Sequence, residues 1–528
     1  MKKIMFLVAV WFSMGTVLVF GQTVNVSGKV ASSHEGKALS ETIIRVKGAL
    51  NIVKTDAEGR FTIPVEKSSS QILVFSHPDH DDLEVALDGK ELLDVTLTSN
   101  VRYNQYGVRV NRNPLFAEER NGILVLESQK DNYRMWFDFR VQVDGAMFSN
   151  KTLNPIGNGT SIRRARFAAK VEFAKNWYGE IDLDFSNSEL ELKDAYLQYT
   201  FNNGLELKVG NFKEGFSMES TTTSRYLSFI ERPNVIATFG PSRHIGIGAN
   251  YNYEWLLGIG GIHFQDIGGV EERVFSEDNN KDFGVDEGVS FTGKLVAMPF
   301  YKEVDKGLHF GVAGSYRTPK TDAEVRQTMR YSTRSLTSIN RKKYIDTDLI
   351  GNIDYATLTG FEVAGYRKNL RFQGEYVMSS IHRLNDLPTE KFDGFYAMGT
   401  WLLFGGKYNY NTTEGEFTQV ARGKKWGDIE LAARYDYLSL NSKGDGTITG
   451  GAGEGYTLGL NYYANNNIKI MLNYAYLNHD RYANGKGKLF IGYDAAGNLT
   501  TDPKIVVDAD GTAGEDFHMI AIRLEVDF

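Results

Sequence analysis

Strict alternation of apolar and polar residues is the feature that most limits how this chain can fold. In the last stretch of the sequence, Ile520, Ile522, Leu524, Val526 and Phe528 occupy every second position, and most residues between them are charged. A two-residue period places successive side chains on opposite faces of a β-strand. The pattern therefore predicts strands with one apolar and one polar face.

The amino-terminal stretch has the features of a secretory signal peptide. Lys2 and Lys3 precede a long apolar run, and Val19 and Gly21 stand where a cleavage site is expected. We predict that residues 1–21 are removed, which lowers the formal net charge from -7 to -9; a retained helix is the alternative. The sequence contains 0 Cys, which excludes a lipoprotein signal and disulfide bonds.

Composition narrows the class of exported protein. The chain has 28 Tyr, 32 Phe and 54 Gly but only 10 Pro, and nothing after the signal is apolar for the length of a membrane helix. This composition, together with alternating segments, is typical of an outer-membrane β-barrel. A secreted all-β protein is the alternative.

Residues 22–100 differ from the rest of the chain, with short strands separated by polar turns. Their segments include VSGKV, GKALSETIIRVKG, KTDAEGRFTIPV, LVFS and LDVTLT. Such spacing predicts a small β-sandwich. The series resembles the carboxypeptidase regulatory-like domain, which implies a structural or docking module without catalytic residues.

After a predicted linker at 101–133, the alternating segments become longer and more regular. We predict sixteen strands within 134–528, beginning near Met135, Arg163, Tyr178, Glu191, Leu205, His244, Trp255, Val289, Gly307, Thr359, Leu370, Asp393, Trp426, Gly453, Ile468 and His518. Short turns such as KNW, NNG, RKN and NNN alternate with long loops. Two connections depart from this rule, because 186–190 is short and the segment after Phe404 is long.

An even number of strands, joined alternately by short turns and long loops, is the layout of an outer-membrane barrel. The predicted fold is therefore all-β: a sixteen-stranded antiparallel transmembrane β-barrel with a small N-terminal β-sandwich domain. Short turns face the periplasm, so both barrel ends and the N-terminal domain are expected there. Pairing of the last strand with the first removes both free edges, and Phe528 is expected at that rim, displayed to the assembly machinery.

The two faces of each strand sort by chemistry. In GDIELAARYDYL the apolar residues at alternate positions are expected to face lipid. The charged residues between them are expected to face a wet lumen; these are Asp428, Glu430, Arg434 and Asp436. Aromatic residues near strand ends are candidates for the interfacial girdles, with ordinary core packing as the alternative. These are Trp177, Tyr178, Trp255, Trp401 and Trp426.

Several segments resemble one family. They include SIRRARFAAKVEFAKNWYGEIDLDF, LKDAYLQYTFNNGLELKVGNFKEGFSME, IERPNVIATFGPSRHIGIGANY, WGDIELAARYDYL and YTLGLNYYANNNIKIMLNYAYL. In order and spacing, from about Asn121 to Phe528, they resemble the phosphate-selective porin O and P family. The resemblance implies a sixteen-stranded, trimeric outer-membrane porin for passive diffusion of small anions such as phosphate. The sequence departs from the family at Arg334, Ser335 and Leu336, where members often have Arg-Pro-Glu.

Selectivity in a pore depends on charge at its narrowest part, and porins of this family use basic residues there. Because Phe167 and Val171 have the lipid-facing parity, basic residues on the other parity should point inward. The third long loop is expected to fold into the lumen. The candidate pore and anion-binding residues are Arg140, Arg164, Arg166, Lys170, Lys213, Arg225, Arg232 and Arg243. The fifth loop adds Arg317, Lys320, Arg326, Arg330, Arg334, Arg341, Lys342 and Lys343.

Acidic residues on the same faces leave the selectivity open. These are Asp138, Asp144, Glu172, Glu180, Asp182 and Asp184. If Glu172 or Glu180 lies between Arg164 and Arg166, the arginine pair is structural and the pore is unselective; otherwise a permeating anion fills that place. Cations in the loops are alternatively expected to bind lipopolysaccharide phosphates.

Signals for other chemistry are weak. Asp278, Asn280, Asp282 and Asp286 alternate as calcium ligands can, but the spacing does not fit an EF-hand. The segment HPDHDD is better explained as a polar loop than as a metal site. We find no nucleophile elbow, phosphate-binding loop or zinc motif, so no enzyme activity, cofactor or metal is predicted.

Two other classes of barrel protein share features with this sequence. A TonB-dependent receptor needs a plug domain, and 101–133 is too short for one. A structural or adhesive barrel, anchored by its N-terminal domain, is the alternative outside transport. The expected partners are outer-membrane lipid and lipopolysaccharide, small anions, two further copies of the chain and an unknown periplasmic partner, but no nucleic acid.

Overall fold

The computed structural model describes residues 23–33, 36–67, 71–111, 114–128, 133–149, 156–186, 188, 190–264, 288–319, 327–339, 342–480, 482–483, 489–490, 492–500, 505, 507 and 515–528. The chain forms two compact units, Met1–Pro114 and Leu115–Phe528. No helix in the described part is long and apolar enough to cross a membrane.

The first unit consists of short strands in two sheets around an apolar core. Its strands are β1 (Thr23–Ser32), β2 (Ile43–Val46), β3 (Ile52–Lys54), β4 (Arg60–Glu66), β5 (Ile72–Ser76), β6 (Leu83–Ala86), β7 (Val95–Leu97), β8 (Val101–Tyr103) and β9 (Arg109–Asn111). The sheets have the orders β4-β1-β7 and β3-β2-β5-β6, and β8 pairs with β9. Alternate residues Phe61, Ile63 and Val65 of β4 are buried, as the sequence pattern predicts.

The second unit begins with a hairpin within residues 101–133, which the sequence predicts to be a linker. Strands β10 (Leu115–Arg120) and β11 (Ile123–Ser128) pair with each other, and β11 pairs with the start of the first barrel strand. At the tip of the hairpin, Asn467 Nδ2 donates a hydrogen bond to Asn121 O at 3.1 Å. The hairpin therefore extends the barrel's sheet at the end where the turns are short.

Sixteen antiparallel strands close into a barrel, which confirms the predicted fold. They are β12 (Arg134–Phe148), β13 (Gly159–Phe173), β14 (Trp177–Asp184), β15 (Glu191–Thr200), β16 (Leu205–Lys213), β17 (Arg243–Tyr253), β18 (Leu256–His263), β19 (Ser290–Ala297), β20 (Lys306–Arg317), β23 (Ile353–Arg367), β24 (Leu370–Arg383), β25 (Glu390–Leu402), β28 (Asp428–Asn441), β29 (Thr449–Tyr463), β30 (Ile468–His479) and β35 (Glu515–Asp527).

The remaining short strands lie in the connections. They are β21 (Ser332–Arg334), β22 (Lys343–Asp346), β26 (Tyr410–Asn411), β27 (Glu416–Phe417), β31 (Tyr482–Ala483), β32 (Leu489–Phe490), β33 (Gly492–Tyr493) and β34 (Leu499–Thr500). The strand starts predicted from sequence fall within about four residues of those observed, except that β23 begins at Ile353 and not near Thr359. The two irregular connections are also present: 185–190 is short, and 403–427 is long although it lies on the short-turn side.

The seam between the first and last strands is polar inside and aromatic at its rim. Opposite each other across the seam, Arg523 donates two hydrogen bonds to the carboxylate of Asp144, each at 2.7 Å. Phe528 exchanges backbone hydrogen bonds with Phe139, at 2.6 and 3.0 Å, and their rings stack. The final residue therefore completes the ladder that removes the barrel's edges.

The alternation predicted for the wall is present. On β35, Ile522 is 51% exposed on the outer face, whereas Arg523 is 0% exposed on the inner face. Trp177, with the other tryptophans of the predicted girdle, is exposed near a strand end. The girdle prediction is wrong for Tyr178, because its hydroxyl donates to Glu180 Oε2 at 2.6 Å on the inner face.

The third loop, residues 214–242, crosses the lumen. It contains helix α1 (Met218–Thr221), a single 3-10 turn (Ser224–Tyr226) and helix α2 (Asn234–Phe239). Met218 N donates to Glu362 on β23 at 2.7 Å, and Ile230 N donates to Asn473 on β30 at 2.9 Å. Apolar residues of the loop pack on the inner faces of β23, β24, β25 and β28, which we call the packed half of the lumen.

Candidate functional site

A polar cavity of about 400 Å³ lies between the third loop and the inner faces of β12–β18, which we call the open half. Glu414 and Glu416 of residues 403–427, which we call the re-entrant turn, also line it. The structure brings together all eight basic residues that the sequence analysis selected, since this cavity is lined by Arg140, Arg164, Arg166, Lys170, Lys213, Arg225, Arg232 and Arg243.

An irregularity in β13 turns two consecutive arginines into the lumen. Gln142 pairs with Arg164 and the next residue of β12 pairs with Ile162, so Arg163 is the extra residue of a β-bulge. Arg164 Nη1 donates to Gln142 Oε1 at 2.6 Å, and Arg163 Nε donates to Glu231 Oε1 at 2.5 Å. Sequence reasoning missed Arg163 because an unbroken two-residue period places it toward lipid.

Asp138 on β12 connects three cations at the wall of the cavity. Its carboxylate forms ion pairs with Arg225 of the third loop, with Lys170 at 3.2 Å and with Arg140 at 4.0 Å. Arg140 also donates to the hydroxyl of Ser224 at 2.9 Å. These contacts fix the middle of the third loop against the open half.

Arg166 and Arg243 are each paired with aspartates of the wall. Arg166 Nε lies 3.0 Å from Asp184 Oδ2, and its Nη1 lies 3.4 Å from Asp182 Oδ2. Arg243 donates two hydrogen bonds to the carboxylate of Asp194, at 2.9 and 2.7 Å. Much of the positive charge in the cavity is therefore already balanced.

Neither Glu172 nor Glu180, the alternative partners considered for Arg164 and Arg166, forms an ion pair with either arginine. Glu172 pairs instead with Arg134 at 2.5 Å, and Glu180 lies 3.7 Å from Lys170. Both glutamates lie nearer the short-turn end of the wall, beside other cations of the neighbouring strands, and the carboxylates that pair with Arg166 are those of Asp182 and Asp184.

Two of the predicted cations support the third loop. Lys213 Nζ donates to Ser220 O at 2.8 Å, and Arg232 donates to Glu219 O at 2.7 Å and Thr222 O at 2.6 Å. These carbonyls belong to the carboxyl end of α1, where cations are favourable because the helix dipole is negative. Lys213 and Arg232 therefore hold the loop that narrows the lumen.

Glu214 anchors the base of the third loop. Arg317 donates to its two oxygens at 2.8 and 3.0 Å, and His244 Nδ1 lies 2.7 Å away. Burial alone would raise the pKa of Glu214, but the hydrogen bond with His244 and the charge of Arg317 outweigh it and lower the pKa to about 2. The carboxylate is therefore ionised at neutral pH.

The charged side chains of the cavity do not balance exactly. Its nine cations are the eight predicted residues and Lys208, and its seven carboxylates are Asp138, Glu180, Asp182, Asp194, Glu206, Glu414 and Glu416. The formal charge of the lining is therefore +2. Sequence reasoning missed Lys208, although its alternation with Leu207 and Val209 on β16 was a usable signal.

Among the described residues, four of these nine cations form no ion pair with a carboxylate. Lys213 and Arg232 bind carbonyls, Arg164 binds Gln142, and Lys208 Nζ lies 4.3 Å above the ring centre of Tyr196. Arg164 and Lys208 are thus the two cations that neither pair with a carboxylate nor bind a carbonyl of the third loop. Opposite charge nearby is what a permeating anion requires.

Charged residues in the packed half are not exposed to a wet lumen, contrary to the sequence expectation. Asp428, Glu430, Arg434 and Asp436 face inward but are buried. The guanidinium of Arg434 lies 4.5 Å from the ring centre of Phe229. The expectation fails because the third loop covers Arg434 and Asp436 and the re-entrant turn binds Asp428, which strand parity does not reveal.

The carboxylates and histidines that could bind a metal ion have partners within the protein. Among the described residues, Glu180, Asp182 and Asp194 are the one group close enough to share an ion, but two of them already pair with Arg166 and Arg243. In the first unit, the Nδ1 atoms of the two histidines in HPDHDD lie 3.0 Å apart within a hydrogen-bonded loop. The calcium candidate at 278–286 lies outside the described residues.

Several solved outer-membrane proteins resemble this barrel loosely. They include OmpT of Vibrio cholerae in its trimer form, at TM-score 0.44 and 12% identity over 75% of this chain and 99% of that one. An anion-selective porin from Comamonas acidovorans matches at TM-score 0.43 and 11% identity, over 75% of this chain and all of that one, 100%. Likenesses at this level have no bearing on the pore's selectivity.

Sequence comparison is more specific. Porin O of Pseudomonas aeruginosa is 24% identical over 406 residues, which are 71% of this chain and 89% of that protein. An uncharacterized protein of Caulobacter vibrioides is 25% identical over 354 residues, 64% of this chain and 68% of that protein. The family model for phosphate-selective porin O and P matches residues 135–492. The chain therefore belongs to the phosphate-selective porin O and P family, and it is an outer-membrane porin for passive diffusion of small hydrophilic solutes.

Proposed function

We propose that this porin prefers small inorganic anions, phosphate among them, over cations. The observation that carries the proposal is the single cavity in which nine cations meet seven carboxylates. A net positive lining lowers the energy of an anion in the pore and raises that of a cation. Because most of the cations are paired, the preference is moderate. The protein acts as a channel and not as an enzyme.

Arg164 and Lys208 are the cations that we assign to contact with the permeating anion. Arg164 retains donors beyond its hydrogen bond to Gln142, and Lys208 rests on an aromatic ring instead of a carboxylate. Arg166 lies two residues from Arg164 on the same face, at a spacing of roughly 6 to 7 Å. The three cations would offer an anion successive positions along the open half.

The test is the reversal potential of purified full-length protein in planar bilayers under a potassium chloride gradient. The double variant Arg164→Gln and Arg166→Gln removes two of the nine positive charges and lowers the formal charge of the lining from +2 to zero. It should lose the anion preference, and phosphate should block its chloride current less. Lys302→Gln is the matched control, because Lys302 is a cation outside this cavity.

Other outcomes favour the alternatives. A wild-type reversal potential near zero would indicate an unselective pore. The absence of conductance steps from correctly folded protein would favour a structural or adhesive barrel. A wild-type preference that the double variant retains would mean that selectivity arises elsewhere.

We also propose a homotrimer, in which the side of the barrel with the shortest strands faces the other copies. Strands β14, β18 and β19 have 8 residues each, whereas β12 and β13 have 15. A tilted strand needs about 9 to 11 residues to cross the bilayer. The outer surface here is a shallow groove of about 600 Å³ in which glycines replace larger outward side chains, which suits close packing against protein.

The native chain has 0 Cys, so a single introduced thiol reports this contact cleanly. Leu295→Cys, at the groove, should be linked into dimers and trimers by a short bismaleimide. Leu458→Cys is the control, since Leu458 is equally outward on the tall strand β29. Equal linkage at both positions would place the contact elsewhere or indicate random collision.

The N-terminal unit is assigned to the periplasm in this proposal, because the chain enters β12 at the short-turn end. Its sandwich is similar in pattern to the carboxypeptidase regulatory-like domain, a docking module for an envelope partner. Lipid is expected on the apolar belt of the barrel, and lipopolysaccharide near the cations of the long loops. Protease added to intact cells should spare the N-terminal unit and cleave it after the outer membrane is opened.

A further inference from the structure

The re-entrant turn is the long connection on the side where turns are short. Asn250 and Asn252 of β17 donate hydrogen bonds to Thr413 O at 3.0 Å and Thr412 O at 2.8 Å. Apolar residues of the turn, with Tyr408 and Phe417 among them, are buried against the inner wall. The turn is therefore built into the lumen and reaches from the packed half to the open half.

This turn brings Glu416 to the lining of the pore cavity. Glu416 is 7% exposed and lies on β27, which packs against α1 of the third loop. Its carboxyl group lies near Thr221 of α1. The side chain thus stands where two inward-folded segments meet, one from each end of the barrel.

Charged and titratable groups surround Glu416 on every element packed against it. Glu414 belongs to the same turn, Lys213 ends β16, and Lys294 lies on β19. Beyond these stand Tyr410 of β26, His309 of β20, Glu362 of β23, Glu206 of β16 and Glu219 of α1.

The nearby lysines are occupied elsewhere. Lys213 donates to carbonyls of α1, and Lys294 Nζ lies 3.3 Å from Glu362. Among the described residues, Glu416 has no ion pair of its own. A buried carboxyl without a direct cationic partner is costly to ionise.

We infer that Glu416 is a specificity-determining residue of this pore. Its negative charge weakens the anion preference, and the preference is stronger when the carboxyl group is neutral. The inference rests on the proposed anion preference and names a residue that acts against it. With Glu416 ionised the formal charge of the cavity lining is +2, and with Glu416 protonated it is +3.

The charge of Glu416 changes close to neutral pH. The pKa of Glu416 is raised to about 7. Burial is the largest cause and the neighbouring carboxylate of Glu414 the second, whereas the charges of Lys213 and Lys294 oppose the rise. The group is therefore neutral below about pH 7 and negative above it. Anion preference should increase as the pH falls from 8 to 6.

The test measures the chloride-to-potassium permeability ratio of the full-length protein in planar bilayers at pH 8 and pH 6. In the wild type the ratio should rise roughly two- to fivefold on acidification, the effect of one unit charge a few Å from the ion in water. In Glu416→Gln the ratio should sit near the acidic wild-type value at both pH values. Glu414→Gln removes a carboxylate from the same lining, so it should raise the ratio at both pH values; it should keep a pH response, at a lower pH, because Glu414 contributes to the raised pKa of Glu416.

Each outcome decides the inference separately from the proposed function. A pH response that survives in Glu416→Gln would place the titrating group elsewhere, for example at His309, and overturn the inference. A wild type without anion preference would refute the proposed function, yet a pH response removed by Glu416→Gln would still identify this residue. If Glu416→Gln fails to fold, Glu416→Asp keeps the carboxyl and must retain the response.

Discussion

The two halves of the lumen are built from the same alternating strands but hold their charges differently. In the open half, charged residues line a cavity of about 400 Å³, and many form ion pairs with other strands of the wall or with the third loop. In the packed half, the third loop covers the wall, and aromatic and aliphatic side chains fill the space between them. Strand parity decides which residues face inward, but the covering loop decides whether those residues meet water.

The difference has an energetic consequence. A charge removed from water needs a close partner, and loss of that partner leaves an uncompensated buried ion. A charge beside a water-filled cavity is partly solvated, so its pairing is worth less. Substitutions in the packed half should therefore affect stability, and those in the open half should affect ion preference.

Arg434→Ala in the packed half should have the largest effect. It removes the cation over Phe229 and leaves Asp436, 3.7 Å away, buried without its partner. The free energy of unfolding in urea should fall by about 3 to 5 kcal/mol, with little change in reversal potential. The double variant Arg434→Ala and Asp436→Ala should recover part of that loss, and no recovery would contradict the pairing.

Glu214→Gln tests the buried anchor of the third loop, which binds His244 of β17 and Arg317 of β20. The pKa of Glu214 is lowered from 4.5 to about 2, so its stabilising charge is fully present above about pH 4.5 and lost as the pH falls toward 2. The variant should be less stable than the wild type by about 3 kcal/mol at pH 7. That difference should shrink between pH 4.5 and 2; a difference independent of pH would show that the anchor is not ionic.

Arg243→Ala in the open half should alter selectivity more than stability. It leaves Asp194 without its ion pair beside the cavity and lowers the formal charge of the lining by one. The chloride-to-potassium permeability ratio should fall roughly two- to fivefold, and the free energy of unfolding should fall by about 1 to 2 kcal/mol. Arg243→Lys, which keeps the charge, should retain the ratio, and a ratio lost there would point to geometry instead.

Lys208→Gln should have the smallest effect and gives the sharpest contrast with Arg434→Ala. Lys208 has a cation–π contact with Tyr196. The free energy of unfolding should change by less than about 0.5 kcal/mol, while the chloride-to-potassium permeability ratio falls by roughly a factor of two. A loss of stability as large as that of Arg434→Ala would remove the distinction between the two halves.

Much of this organisation follows from the sequence, and the rest depends on contacts that parity cannot show. Alternation predicts the sixteen strands, the closing pair and the inward direction of Arg166 and Lys170, because the pleat has a fixed period. It does not show that Asp436 is covered, because the third loop and the wall are far apart in the chain. It also gives no reason for Glu416 to enter the lumen, since only the unusual length of its turn is visible.

The bulge at Arg163 changes the phase of β13. On the side toward the long loop, Thr160 and Ile162 face outward, whereas past the bulge the outward positions are Ala165 and Phe167. Even-numbered residues meet lipid in one part of the strand and odd-numbered residues in the other. Deletion of Arg163 would restore a regular ladder with Arg164 still facing the lumen, but it would remove the guanidinium that binds Glu231 of the third loop. An alignment gap at this position in a relative would therefore indicate a different arrangement of charges in the lumen and not a shorter loop.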